Sequence, residues 1–169
     1  SIYASANVSL GTLTYTDIPE PNRSTYRILH VDNTSPDLGE LAGLFSLSAG
    51  RTERAVNVFL VHDIDESGVL GISPGIPGPQ GMHGTGASGV AVNYDGCWDA
   101  RSAGMVIAHE VGHYLGLFHS TERTADPYSG DPIADTSYGD ASNLMHWQWG
   151  GDDLTAGQAF VMLRAALVQ

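Results

Sequence analysis

The sequence predicts an α+β protein with two unequal lobes, and three observations carry that reading. Short β-branched runs and one amphipathic helix occupy the first half of the chain. A longer helical stretch, residues 99–115, comes next. A polar, Gly- and Asp-rich segment without periodicity (120–142) then leads into a closing, capped helix. Strands and a helix first, loops afterwards, suggest an upper lobe of about residues 1–116, an irregular lower lobe of about 117–169, and a cleft between them. The 169 residues suit one domain spanning 1–169.

Taken in order, residues 7–16 (NVSLGTLTYT) read as a strand, and 26–33 (YRILHVDN) as a second. Ser35-Pro36-Asp37 supplies an N-cap, a first-turn proline and a first-turn acid. Leu38, Leu41, Leu44 and Phe45 then recur at helical spacing, and Gly50 offers a stop. Residues 55–64 (AVNVFLVHDI) have the length and branching of a buried strand. The Gly- and Pro-rich stretch 71–89 reads as a long surface loop, and 88–94 (SGVAVNY) as another strand. The helix over 99–115 is capped near Asp99 or Ser102. Thr155-Ala-Gly-Gln158 is a T-x-x-Q capping box that opens the last helix, with Phe160, Leu163 and Leu167 as its apolar stripe.

Formal net charge is −12, and all seven basic residues other than histidine are Arg. Without Lys, P-loop and Schiff-base chemistries are excluded. The acidity disfavours nucleic acid as a partner. It suits solubility, basic peptides or calcium. No apolar run spans a membrane and no leader peptide is visible, so the chain reads as a mature or trimmed form. Cys97 is the single cysteine, which rules out an internal disulfide.

The chemistry concentrates in residues 108–120, AHEVGHYLGLFHS. His109 and His113 stand at i and i+4, so both rings leave one face of the helix and suit one zinc ion. Gly116 ends the helix in a left-handed turn, and the returning chain brings His119 to the same metal. Three protein ligands leave a position open for water, the mark of catalytic zinc. Glu110, next to His109, is placed to take a proton from that water, and the set describes amide hydrolysis. Incidental histidines on a core helix would need polar partners that an apolar face does not offer.

His109-Glu110-Val-Gly-His113-Tyr-Leu-Gly116-Leu-Phe-His119 resembles the long zinc signature of the metzincin metallopeptidases. SNLMHW (142–147) looks like their Met-turn, with Met145 as the methionine that floors the metal without binding it. GDPIADT (130–136) and LTAGQ (154–158) resemble segments of pappalysin-type enzymes, which points to a pappalysin-like or unassigned bacterial branch. Ser120 after the third histidine is instead similar to matrixins. LMHW is similar to the astacin turn. That group has Tyr two residues after the Met where this chain has Trp147, so an oxyanion-stabilising phenol is not carried over.

The resemblance implies a metzincin-like two-lobed zinc peptidase. It implies a mixed, mostly parallel sheet with two helices above the cleft, and an irregular lower lobe ending in a helix. It implies a secreted metalloendopeptidase of the 3.4.24 class acting on a protein or peptide, with a pro-segment or inhibitor as a further partner. An edge strand pairing with substrate would be SGVAVNY, through Gly89, Val90, Ala91 and Val92. The pocket wall after the Met-turn would draw on Trp147 and residues 147–153, where Asp152 and Asp153 either favour a basic substrate residue or solvate a turn. Besides Zn2+, calcium is a candidate cofactor, with Asp126, Asp131, Asp135 and Thr136 as oxygen ligands. Cys97 is read as a buried structural thiol, with a zinc-capping thiolate as the alternative. Two rival functions stay open: an inactive peptidase-fold binding module, and a zinc hydrolase of a non-protein amide.

Overall fold

Strand β5 (Val90–Asn93) is buried at all four positions, and the sheet is built around it. The computed structural model describes residues 2–32, 34–35, 38–123 and 130–168. Ahead of β5 come a 3-10 turn (Ile2–Ala6), α1 (Asn22–Thr25), β1 (Ile28–Leu29), α2 (Glu40–Ser46), β2 (Val58–Val61), β3 (Asp63–Ile64) and β4 (Gly71–Ile72). Helices α3 (Ala100–Tyr114) and α4 (Ala156–Met162) follow it. β5 runs parallel to β2, with Val58 opposite Val90 and Val61 opposite Asn93. On its other side β4 pairs antiparallel, with Gly71 opposite Val92 and Ile72 opposite Ala91. β1 and β3 form a separate parallel pair. The sheet structure is therefore mixed and mostly parallel, and with α2 and α3 it makes the α+β fold of a metzincin-like peptidase.

Two apolar clusters hold the molecule. Leu29, Leu41, Leu44, Phe45, Val61, Ile64 and Ala91 unite the strands with α2. Each of these side chains larger than alanine contributes about 1.5–3 kcal/mol when fully buried. The second cluster joins Ala108, Leu115 and Leu117 at the end of α3 to Leu144, Met145, Met162 and Ala165. Tyr3, Ala6 and Val8 belong to it too. The amino-terminal turn therefore packs on both α3 and α4. Among the described residues no helix is long and apolar enough to cross a membrane.

Several expected elements are shorter or absent. Residues 7–16 form no strand: Leu10, Leu13 and Tyr15 are exposed, and no strand pairs with them. Branched residues favour extended backbone, but only a partner makes a strand. The stretch 55–64 breaks at His62, so β2 joins one sheet and β3 the other. Helix α2 starts at Glu40 because Leu38 (φ 52°) and Gly39 (φ 67°) are left-handed. Gly39 passes His30 so closely that a Cβ would lie 2.9 Å from the His30 carbonyl oxygen. The Pro36 and Asp37 of the expected cap lie outside the described residues. Gly71–Ile72, expected within a loop, is an edge strand.

Of the stripe expected for α4, Leu167 packs against the second cluster but Phe160 and Leu163 do not. Phe160 is 56% exposed and Leu163 40%, whereas Gln158, Met162 and Ala165 face inward. A glutamine in the core rotates the helix away from the face its apolar pattern suggests.

Candidate metal centre and active site

Helix α3 is the scaffold. Asp99 is its N-cap: the Ser102 N–H donates to Asp99 Oδ1 at 2.7 Å, and the Asp99 N–H donates back to Ser102 Oγ at 2.9 Å. The hydrogen bonds from Ser102 hold the Asp99 carboxyl below its usual range. At the far end Gly116 takes φ 108°. Its N–H donates to the His113 carbonyl at 2.9 Å, and the Leu117 N–H reaches the Gly112 carbonyl at 3.0 Å. This pair of bonds is the Schellman motif, which turns the chain back across the helix end. His119 arrives on the returning segment.

The three rings then meet. Nε2 of His113 lies 3.1 Å from Nε2 of His109 and 3.1 Å from Nε2 of His119. The third side, His109 to His119, is 3.2 Å. Each ring's other nitrogen has an acceptor. Nδ1 of His109 donates to the Leu144 carbonyl at 2.7 Å, Nδ1 of His113 to the Leu117 carbonyl at 2.7 Å, and Nδ1 of His119 to Glu122 Oε2 at 3.1 Å. With Nδ1 carrying the proton, three Nε2 lone pairs face one another without a donor among them. Burial favours the neutral rings: it lowers His109 to about 4 and His113 to about 3. A regular zinc tetrahedron with bonds of about 2.0–2.1 Å has corners about 3.3–3.4 Å apart. The imidazole triangle is within a few tenths of an ångström of that, so the donor set fits zinc, and the Leu144 and Leu117 carbonyls and Glu122 fix the tautomers zinc requires.

Glu110 follows His109 on α3, and its side chain is buried against β4. A Cβ on Gly71 would stand 2.5 Å from Glu110 Cγ and 2.6 Å from Oε1. Burial pushes its carboxyl up to about 8. Among the described residues its carboxylate accepts no hydrogen bond. Met145 is fully buried under the helix, and a Cβ on Gly112 would meet its sulfur at 2.7 Å. The Met145 carbonyl accepts the Ser120 N–H at 2.9 Å, which ties the turn to the chain just past His119.

Other expected residues fall elsewhere. Gly89, Val90, Ala91 and Val92 supply no free edge, because β5 is flanked on both sides and its side chains are sealed. The sequence shows β5 as a strand but not its place in the sheet, whose two edges are β2 and β4. Trp147 is half-buried, with the Arg123 guanidinium 5.7 Å from its ring centre and His146 stacked on it. Asp152 pairs with Arg101 at 3.3 Å, on the flank of α3. Cys97 is partly buried and stands outside the imidazole cluster. Its thiol donates to the Asn93 carbonyl at 3.2 Å, and burial raises its pKa.

Of the calcium candidates, Asp126 lies outside the described residues. Asp131 Oδ1 accepts from the Thr136 hydroxyl at 2.5 Å. Asp135 instead serves α4, accepting from the Thr155 hydroxyl and the Gly157 N–H, each at 2.9 Å.

Sequence reasoning missed Glu122, Gly71, Gly112 and Tyr3, whose hydroxyl donates to the Ala108 carbonyl. Only Glu122 had a signal, a carboxylate three residues past a ligand histidine. No curated protein matches the chain. A family model described as pregnancy-associated plasma protein-A matches residues 48–161, more than half of the chain and all of the imidazole site. With the three-histidine centre fitting the zinc site of that family, the chain belongs to the pappalysin-like metallopeptidases.

Proposed function

We propose that the chain is a zinc-dependent endopeptidase that hydrolyses peptide bonds with Glu110 as general base. The observation that carries this is the triangle of three donor-free Nε2 atoms with an unbonded, buried carboxylate beside it. When bound by His109, His113 and His119, zinc supplies Lewis acidity toward a scissile carbonyl and toward water. Glu110 takes the proton from the attacking water on a carboxylate oxygen and passes it to the departing amine.

The free edge of β4, whose Gly71 touches Glu110, supports extended substrate pairing there through main-chain bonds. Trp147 and Arg123 support a pocket wall on the His119 side that favours an acidic substrate residue over a basic one, because Asp152 is engaged with Arg101. Calcium is a further part of the reading: Asp131 Oδ2 is buried without a hydrogen-bond partner next to Thr136, and a cation would satisfy it. The reading includes secretion, and control by a pro-segment or inhibitor.

The test is cleavage of a peptide library with and without a chelator, by the native chain and by Glu110→Ala. Chelation and the substitution should each abolish turnover while the variant still binds zinc. Turnover persisting in Glu110→Ala refutes Glu110 as base. Zinc binding without any cleavage by the native chain would favour a binding module instead.

A further inference from the structure

We infer that Asn143 and Gln158 are positioning residues for the metal centre, an amide clasp that holds the Met145 turn against the zinc-binding imidazoles; the inference rests on the zinc reading above. The two side chains bond reciprocally. Asn143 Nδ2 donates to Gln158 Oε1 at 2.9 Å, and Gln158 Nε2 donates to Asn143 Oδ1 at 3.0 Å. Each oxygen also accepts a backbone N–H: Met145 to Asn143 Oδ1 at 2.9 Å, and Thr155 to Gln158 Oε1 at 3.0 Å. A backbone N–H can only donate, so both amides have a single satisfactory orientation. Gln158 is fully buried and Asn143 is 3% exposed, so water does not replace these bonds.

The clasp sits one bond away from the ligands' own supports. Leu144, between Asn143 and Met145, gives its carbonyl to His109 Nδ1 at 2.7 Å. Met145 gives its carbonyl to the N–H of Ser120, the neighbour of His119. Two of the three ligands are thus oriented by one short turn, and the side chain of Asn143 holds the N–H between those two carbonyls. Loss of the clasp orphans a buried N–H and lets both carbonyls shift. Outer-shell partners of metal-binding histidines set ring orientation, and losing one lowers metal affinity about 10–100-fold.

A merely structural role, as part of the α4 cap, predicts something different. Thr155→Ala removes the hydroxyl that accepts the Gln158 N–H at 3.2 Å yet leaves the clasp intact. Zinc affinity would be measured by chelator competition on the folded, metal-stripped chains, alongside their melting temperatures. Gln158→Met, which keeps the stem and loses the amide, should bind zinc about 10–100-fold more weakly. Thr155→Ala should stay within about threefold of the native chain although it too melts earlier. The inference is overturned if Gln158→Met binds zinc as tightly as the native chain, or if Thr155→Ala weakens binding equally. Should Gln158→Met fail to fold, Gln158→Glu decides by the same comparison, since it keeps the Thr155 acceptor and loses the donor to Asn143. Failure of the native chain to bind zinc would instead overturn the peptidase reading.

Discussion

Gly71→Ala places a methyl group where the Glu110 side chain now stands. The new Cβ would lie 2.5 Å from Glu110 Cγ, 2.6 Å from Oε1 and 2.8 Å from Cδ. Carbon atoms settle at about 3.5–4.0 Å, so the carboxylate must retreat by about 1 Å. Glu110 is 7% exposed, which leaves it no free rotamer in solvent. A displacement of that size at a reacting group costs about 100-fold in rate. The same methyl lies on an edge strand, where alanine's smaller loss of backbone freedom on folding recovers about 0.5–1 kcal/mol. The melting temperature should therefore change little. Zinc should also be retained, because the three atoms nearest the methyl all belong to Glu110. The assay is kcat and KM on a cleaved peptide, with metal content measured on the same preparation. A variant that keeps more than about a third of native kcat with full zinc would refute the placement of Glu110 against β4.

Gly104→Ala is the contrasting case: the site lies within α3 with nothing within 4 Å of the new Cβ. It should gain about 1 kcal/mol and raise the melting temperature by about 2–4 °C, read by calorimetry; a lowered value would contradict the open space there. The metal-free chain should also show a stability maximum near pH 6.5. His109 and His113 are lowered from 6.5 to about 4 and about 3, so their contribution is complete above pH 6.5 and lost as pH falls. Glu110 is raised from 4.5 to about 8, so its contribution is complete below pH 4.5 and lost as pH rises through 8. Two imidazoles outweigh one carboxyl on the acid side, and the carboxyl acts alone on the other. Melting curves of chelator-treated protein check this, and a steady rise from about pH 5 to about pH 8.5 would contradict the burial of Glu110.

The imidazole cluster and the carboxylate next to it in sequence were legible because they are local. His109, Glu110 and His113 share one helical turn and a half, and Gly116 reverses the chain within three residues of His119. Helical period and the left-handed tolerance of glycine are properties of short stretches, readable without a partner. The Asp99 and Thr155 capping boxes were legible for the same reason. The expected edge strand failed for the opposite reason. VAVN says that a strand is apolar, not which neighbours it has, and only the pairing of Gly71–Ile72 sealed its second side. The segment 7–16, exposed apart from Val8, failed likewise, for want of a partner.

By itself, then, the amino-acid order determined a three-imidazole centre with an adjacent carboxylate, the helix that carries it and the α+β class, because each follows from spacing along a few turns of chain. Tertiary structure alone decided which strand edge stays open, which face of α4 turns inward, and which acceptors orient the imidazoles. Those depend on contacts such as Asn143 with Gln158 and Leu144 with His109, between residues 15 and 35 positions apart. No local periodicity records a hydrogen bond made across that distance.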